Sequence, residues 1–230
     1  MARKIFLISL LLIFSLSGVT ANAFARKNKP IKLPEPGYEG SISVEQAIGQ
    51  RRSVRYFEAA PLMLEEVSQI LWAAGGATID GVTGPTRAYP SARGMYPLEI
   101  YLVAGDVSML GEGIYWYDWR EHSLTLIREG DFRKELSHAA LGQGAVLNAP
   151  ISIVVVGNGQ KTGKRQVKPS DVRYMSTDAG HMGQNVHLET ESMGLGTVMV
   201  GGFTDKEVLD LLGVKDRTVI YVMPVGKPRQ

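Results

Sequence analysis

The string D-V-R-Y-M-S-T-D-A-G-H-M-G-Q-N-V-H-L-E-T-E-S-M, residues 171 to 193, decides the fold, because it reads as one helix of more than six turns in the C-terminal half of the chain. Met175, Ala179, Met182 and Val186 follow an a/d spacing along it. Gly180 and Gly183 stand in its interior, and each costs about 1 kcal/mol relative to Ala. Small residues at that cost imply close approach by another backbone. Two environments satisfy this: a core helix of the chain's own fold, or a helix buried between two copies. Its length and apolar content favour the second.

Around this helix the chain alternates irregularly between strand and helix signals. Ser43 and Gln46 form a capping box for a short helix with Val44, Ala47 and Ile48 on its apolar face. Pro61 opens a second helix, with Val67, Ile70, Leu71 and Ala74 at helical spacing and Gly75-Gly76 as its stop. A loop is expected from Ala77 to Pro97. Leu98 to Ala104, Ile114 to Tyr117 and Ser123 to Ile127 are β-rich runs that suggest a meander. Asp131 to Leu141 is helical, and Ile151 to Val156 is a continuous apolar run suited to a central strand. Thr204 and Glu207 cap a helix that ends at Gly213, and Thr218 to Val225 closes the chain as a strand. Such an order predicts an α+β layered fold rather than a doubly wound one.

The N-terminus is set apart by composition. Arg3 and Lys4 precede an apolar run from Ile5 to Leu16, and Ala21-Asn22-Ala23 ends the segment. Residues 1–23 are expected to be a secretory signal peptide cleaved after Ala23, since its 12 to 15 apolar residues fall short of the roughly 20 that span a bilayer. The mature protein is then periplasmic or secreted, with no stable membrane insertion. Residues 24–42, with Pro30, Pro34 and Pro36, read as an extended arm able to wrap a partner subunit, and 43–230 form the folded domain. Of 25 Lys and Arg and 23 Asp and Glu, the signal holds two basic residues and no acidic one, so the mature chain carries 23 of each. That balance offers nothing to nucleic acid.

Several chemistries are excluded by what the chain lacks. It has no cysteine, which removes disulfides, a thiol nucleophile, thiolate zinc and cysteine-ligated iron-sulfur clusters. His122, His138, His181 and His187 include no i, i+4 pair, so no metal is expected. Gly157 to Lys164 has the wrong glycine spacing for a phosphate loop, and Met199 spoils a dinucleotide fingerprint beginning at Gly194. No G-x-S-x-G elbow is present. What remains is Arg51-Arg52-Ser53-Val54-Arg55. Guanidinium forks and a hydroxyl match the oxygens of a phosphate, although basic residues at a helix C-terminus also complement the helix dipole.

Five strings in order resemble the nitroreductase family of flavoproteins, and within it the SagB-type dehydrogenase branch. They are Q-R-R-S-V-R-Y-F at 50 to 57, P-S-A-R-G-M-Y-P-L-E-I-Y at 90 to 101, D-A-G-H-M-G-Q-N-V at 178 to 186, G-L-G-T-V-M-V-G-G-F at 194 to 203 and P-V-G-K-P at 224 to 228. The resemblance covers residues 43 to 228. It implies a central, mostly antiparallel sheet flanked by helices, a homodimer built on the long central helix, and FMN in two equivalent interface sites. By position it implies that Arg51, Ser53 and Arg55, with Arg52 beside them, grip the phosphate and ribityl hydroxyls. It likewise implies that Ser91, Ala92 and Arg93 are presented to the flavin by the neighbouring subunit. Val200, Gly201 and Gly202 are implied to lie against the ring, and Lys227 and Arg229 to add basic contacts near the C-terminus.

The implied activity is exported, FMN-dependent hydride transfer between a small organic substrate and flavin N5, with no catalytic side chain identified. Azoline-oxidising members of the branch carry a Lys-Tyr pair before the long helix. This chain has Lys164-Arg165 and Arg173-Tyr174 there, so azole formation is not implied. Two other activities stay open: NAD(P)H-dependent reduction of nitro compounds or quinones, and flavin or ligand binding without turnover.

Overall fold

The computed structural model describes residues 29–81, 84–162 and 169–229. The expected signal segment, the first residues of the arm and the Lys164-Arg165 pair lie outside the described residues. Along the chain run β1 (Ile31–Lys32), α1 (Val44–Gln50), α2 (Leu64–Gly75), β2 (Ala77–Gly81), β3 (Gly84–Arg87), β4 (Leu98–Ala104), β5 (Gly113–Asp118) and β6 (Ser123–Glu129). They are followed by α3 (Arg133–Ala139), α4 (Gly144–Asn148), β7 (Ile151–Gly157), α5 (Pro169–Ser192), β8 (Gly196–Thr197), α6 (Asp205–Leu212) and β9 (Thr218–Gly226). Seven strands form one sheet in the order β1-β6-β5-β4-β7-β9-β8, and every ladder in it is antiparallel.

The central position of β7 follows from its composition. All seven of its residues are buried, because both faces of the sheet are covered. Side-chain alternation divides the core into two layers. Ile151, Ile153 and Val155 face α2 and α5, together with Leu98, Ile100 and Leu102 of β4. Val154 and Val156 face α3, α4 and α6 on the other side, with Tyr101 and Val103 of β4. The result is a layered α+β fold, as the order of signals predicts.

Four local expectations need correction. The stretch after Ala77 is not an unbroken loop: β2 and β3 pair as a hairpin in which Thr78 Oγ1 and Thr86 Oγ1 lie 2.6 Å apart. Its glycines hide the strand signal. The arm contributes β1, which pairs Ile31 with Leu124 at the sheet edge, and Leu33 is buried in the core. At α6, Thr204 occupies the N-cap without a side-chain capping bond, while Gly213 ends the helix in the left-handed region at φ 70° as expected.

The fourth correction concerns α5. Met175, Ala179, Met182 and Val186 are fully buried in the chain's own core, so the apolar stripe packs within one subunit. Gly183 belongs to that packing: a Cβ there would stand 2.9 Å from Met199 Sδ and 3.2 Å from Tyr221 Oη. Only Gly180 lies on the outer face, where a Cβ would meet nothing within 4 Å. Val172 and Tyr174 in the first turns of α5 and Val44 and Ile48 of α1 are also exposed. Of the two glycines, Gly180 alone leaves an open surface on α5.

Candidate functional site

Arg51 is the C-cap of α1, its N–H donating to Ala47 O at 3.0 Å and its backbone already extended. The chain leaves the helix as a strand-like segment that adds to the sheet edge. Ser53 pairs in parallel with Thr197 of β8, and the Val54 N–H donates to Thr197 O at 2.9 Å. Thr197 is itself fastened to β9, its Oγ1 donating to Pro224 O at 2.8 Å. Val54 can seat here because residue 196 is glycine. A Cβ at that position would lie 2.5 Å from Val54 Cγ2. With Val54 turned inward, Ser53 and Arg55 face solvent.

Two residues further on, the same segment meets the end of the chain. Phe57 pairs with Pro228, the Glu58 N–H donates to Lys227 O at 2.9 Å, and the Arg229 N–H donates to Tyr56 O at 3.0 Å. Gly226 makes room for the Phe57 ring, since a Cβ there would stand 3.0 Å from Cδ1. Residues 51–55 and 227–229, far apart in sequence, are thus held side by side by backbone bonds. Between them and α4 lies a cleft of about 720 Å³ that includes Arg55, Tyr56, Gln143, Asn148 and Arg229 in its wall.

The electrostatics of this corner are one-sided. Lys227 Nζ approaches Glu58 Oε2 at 3.4 Å, an exposed pair worth little. Among the described residues, no carboxylate pairs with Arg51, Arg52, Arg55 or Arg229. Arg55 and Arg229 line the open cleft beside Glu58, with Arg51 and Arg52 on the adjoining segment, and guanidinium forks are donors suited to a phosphate. His187 of α5 lies beneath Arg51. It is 6% exposed, and burial first, then the Arg51 charge, lowers its pKa to about 4.

A pH prediction follows from His187. Its folded pKa lies below the unfolded value near 6.5, so the unfolded chain binds more protons in between. The contribution to stability is present above about pH 6.5 and is lost as the pH falls toward 4. Urea midpoints measured across that window should fall more steeply for wild type than for His187→Gln. Parallel profiles would contradict the assignment.

The other expected residues divide into two groups. Val200 has its N–H committed to Val222 O at 2.8 Å and accepts from the Val222 N–H at 3.0 Å, and its side chain is buried. It anchors the segment, so its N–H is not available to a ring as the sequence suggests. Gly201 and Gly202 are exposed, and among the described residues neither N–H has a protein acceptor. A Cβ at 201 would meet nothing within 4 Å, and at 202 only Leu141 Cδ1 at 3.6 Å. Internal packing does not require glycine at either position. A flat ligand lying on the backbone would.

Ser91, Ala92 and Arg93 stand elsewhere. Ser91 Oγ donates to Asp178 Oδ2 at 2.5 Å, which fastens this loop to α5. Asp178 is nine residues before His187 on that helix, about 13.5 Å along its axis. Among the described residues, no hydrogen bond or ion pair joins the loop to the arginine segment. Thr197, Gly196, Gln143, Asn148 and Asp178 were not legible as site components, because their roles depend on partners distant in sequence. No group of His, Asp or Glu among the described residues could hold a metal.

The sheet and its two helical layers define a layered α+β protein with a basic segment at the sheet edge and an exposed glycine pair. The Nitroreductase family model matches residues 48–227, and the chain belongs to that family of flavin-dependent oxidoreductases. A Methanocaldococcus jannaschii protein named as a nitroreductase is 39% identical over 186 residues, which cover 81% of this chain and 91% of that one. A crystal structure of a nitroreductase from Ralstonia eutropha aligns at a TM-score of 0.74 and 27% identity, covering 87% of this chain and 90% of that one. The trifolitoxin operon protein TfxC of Rhizobium leguminosarum is 22% identical over 214 residues, 87% of this chain and 60% of its own length.

Proposed function

We propose that the chain is an exported FMN-dependent oxidoreductase of the SagB-type branch, acting as a homodimer on a small organic substrate. The observation that carries this is the gathering of Arg51, Arg55 and Arg229 by the Val54–Thr197, Glu58–Lys227 and Tyr56–Arg229 backbone bonds, with no carboxylate among the described residues ion-paired to them. The fit to FMN is chemical: a phosphate suits the guanidinium forks, and a flat ring suits the open backbone at Gly201 and Gly202. Similarity to TfxC speaks for the branch. The exposed apolar residues Val44 and Ile48 of α1 and Val172 and Tyr174 of α5, with the open Gly180 on α5, speak for the dimer.

Bound there, FMN supplies reversible acceptance of a hydride from an organic molecule. The protein's residues contribute position and charge. Arg51, Ser53 and Arg55 hold the phosphate end, with Arg229 and Lys227 adding positive charge across the cleft. Thr197 and Val200 fix the two strands from which that grip and the glycine pair project. His187, buried and uncharged at neutral pH, adds no charge of its own beside Arg51.

Export, motivated by Arg3, Lys4, the apolar run and Ala21-Asn22-Ala23, separates the mature protein from the cytosolic nicotinamide pool. An extracytoplasmic reductant or the substrate itself then supplies electrons. The test is anaerobic reduction of the holoprotein by a donor panel, with the N-terminal residue of the native protein determined in parallel. Slow reduction by NADH and NADPH and a chain starting after Ala23 are expected. An intact Met1 with rapid reduction by a nicotinamide would replace this proposal with nitro or quinone reduction in the cytoplasm.

A further inference from the structure

The loop from Ser91 to Tyr96 is held in an unusual shape. Arg93, Gly94 and Tyr96 all have positive φ, at 57°, 63° and 45°, and two of the three carry side chains that disfavour that region. Such a conformation persists only where its surroundings over-determine it. Here Gly94 N–H donates to Ser91 O at 3.0 Å, Met95 N–H to Ala92 O at 3.2 Å, and Tyr96 N–H to Ser91 Oγ at 2.9 Å. The Tyr96 ring packs edge-on against Tyr89, with centroids 5.6 Å apart. The remaining tie is the Ser91 hydroxyl, whose only proton goes to Asp178 Oδ2 at 2.5 Å.

Asp178 is the unexpected member. It is 2% exposed, and among the described residues Ser91 is its only hydrogen-bond donor. A buried carboxylate served by one hydroxyl is a costly way to fill space on a core helix. Its return is geometric: it fixes the start of a strained turn at whose tip Arg93 is exposed.

We propose that Asp178 is a positioning residue: through Ser91 it fixes the 91–96 loop in the shape that carries Ala92 and Arg93 to the flavin of the neighbouring subunit, and Ser91 is its tie rather than a ligand contact. This rests on the dimeric flavin site proposed above. Asp178 touches neither substrate nor cofactor. Because Asp178 acts only through Ser91, its removal should add nothing once Ser91 is lost, while loss of Ser91 also frees the Tyr96 N–H.

The test combines hydrogen exchange over residues 91–96, in FMN-loaded and flavin-free protein, with FMN affinity. It compares wild type, Asp178→Ala, Ser91→Ala, the double variant and Asp178→Asn. Asp178→Ala and Ser91→Ala should each speed exchange of the loop and weaken FMN by about tenfold, the scale of one lost hydrogen bond to a charged group. The double variant should be no worse than Ser91→Ala, and Asp178→Asn, whose amide oxygen accepts the same proton, should restore both readouts. If Asp178→Ala does not fold, Ser91→Ala carries the comparison. Unchanged exchange, unchanged FMN affinity or multiplicative losses in a wild type that binds flavin would overturn this inference alone. A wild type that binds no flavin would overturn the function proposed above as well.

Discussion

Replacing Arg51 and Arg55 together by Ala is expected to weaken FMN by about 4 kcal/mol, roughly a thousandfold, at about 2 kcal/mol for each charged hydrogen-bonding group. Riboflavin, which lacks the phosphate, should bind both forms almost equally. The contrast follows from the position of these side chains: they project from an extended segment at the sheet edge, on the far side of Val200 from Gly201 and Gly202 along β9 and β8. Parallel fluorescence titrations of both flavins decide the matter. Equal losses for FMN and riboflavin would move the arginines from the phosphate to some other part of the ligand or to folding.

Gly196→Ala should damage the site without touching a ligand. The added methyl carbon would stand 2.5 Å from Val54 Cγ2 and 2.7 Å from Val54 Cβ, with a strand backbone behind it. Overpacking of this kind costs about 1 to 3 kcal/mol of stability. Relief requires Val54 to lift, which breaks the Val54–Thr197 bond and carries Ser53 and Arg55 out of register. A lowered denaturation midpoint and at least a tenfold loss of FMN affinity, about 1.4 kcal/mol, are therefore expected together. Gly201→Ala is the complementary case. Its Cβ meets nothing within 4 Å in the protein, so stability should stay within about 0.5 kcal/mol of wild type while flavin affinity falls. A Gly196→Ala variant with unaltered stability and FMN affinity would contradict the seating of the arginine segment.

Much of this architecture is legible in the sequence because it follows from local pattern. The bounds of β4, the buried run of β7, the capping box at Ser43 and the length of α5 all rest on periodicity or on caps within a few residues. The basic segment at Arg51 is legible for the same reason. What escapes is set by partners far away. Gly183 resembles an interface glycine until Met199 and Tyr221 are seen to occupy its open side. Residues 31 and 32 have no strand signal of their own and become β1 only because the edge of β6 offers them a ladder. Val200 falls in a motif that implies a ligand contact, yet its N–H serves Val222. Asp178 stands in a recognisable string, but its role depends on a serine 87 positions earlier.

The central claim is that the basic edge and the glycine pair hold FMN, and the visible spectrum of the purified mature protein tests it most directly. A yellow protein whose released flavin co-migrates with FMN, or a colourless one that quenches added FMN stoichiometrically, is the result predicted. A colourless protein that leaves FMN fluorescence unchanged would contradict it.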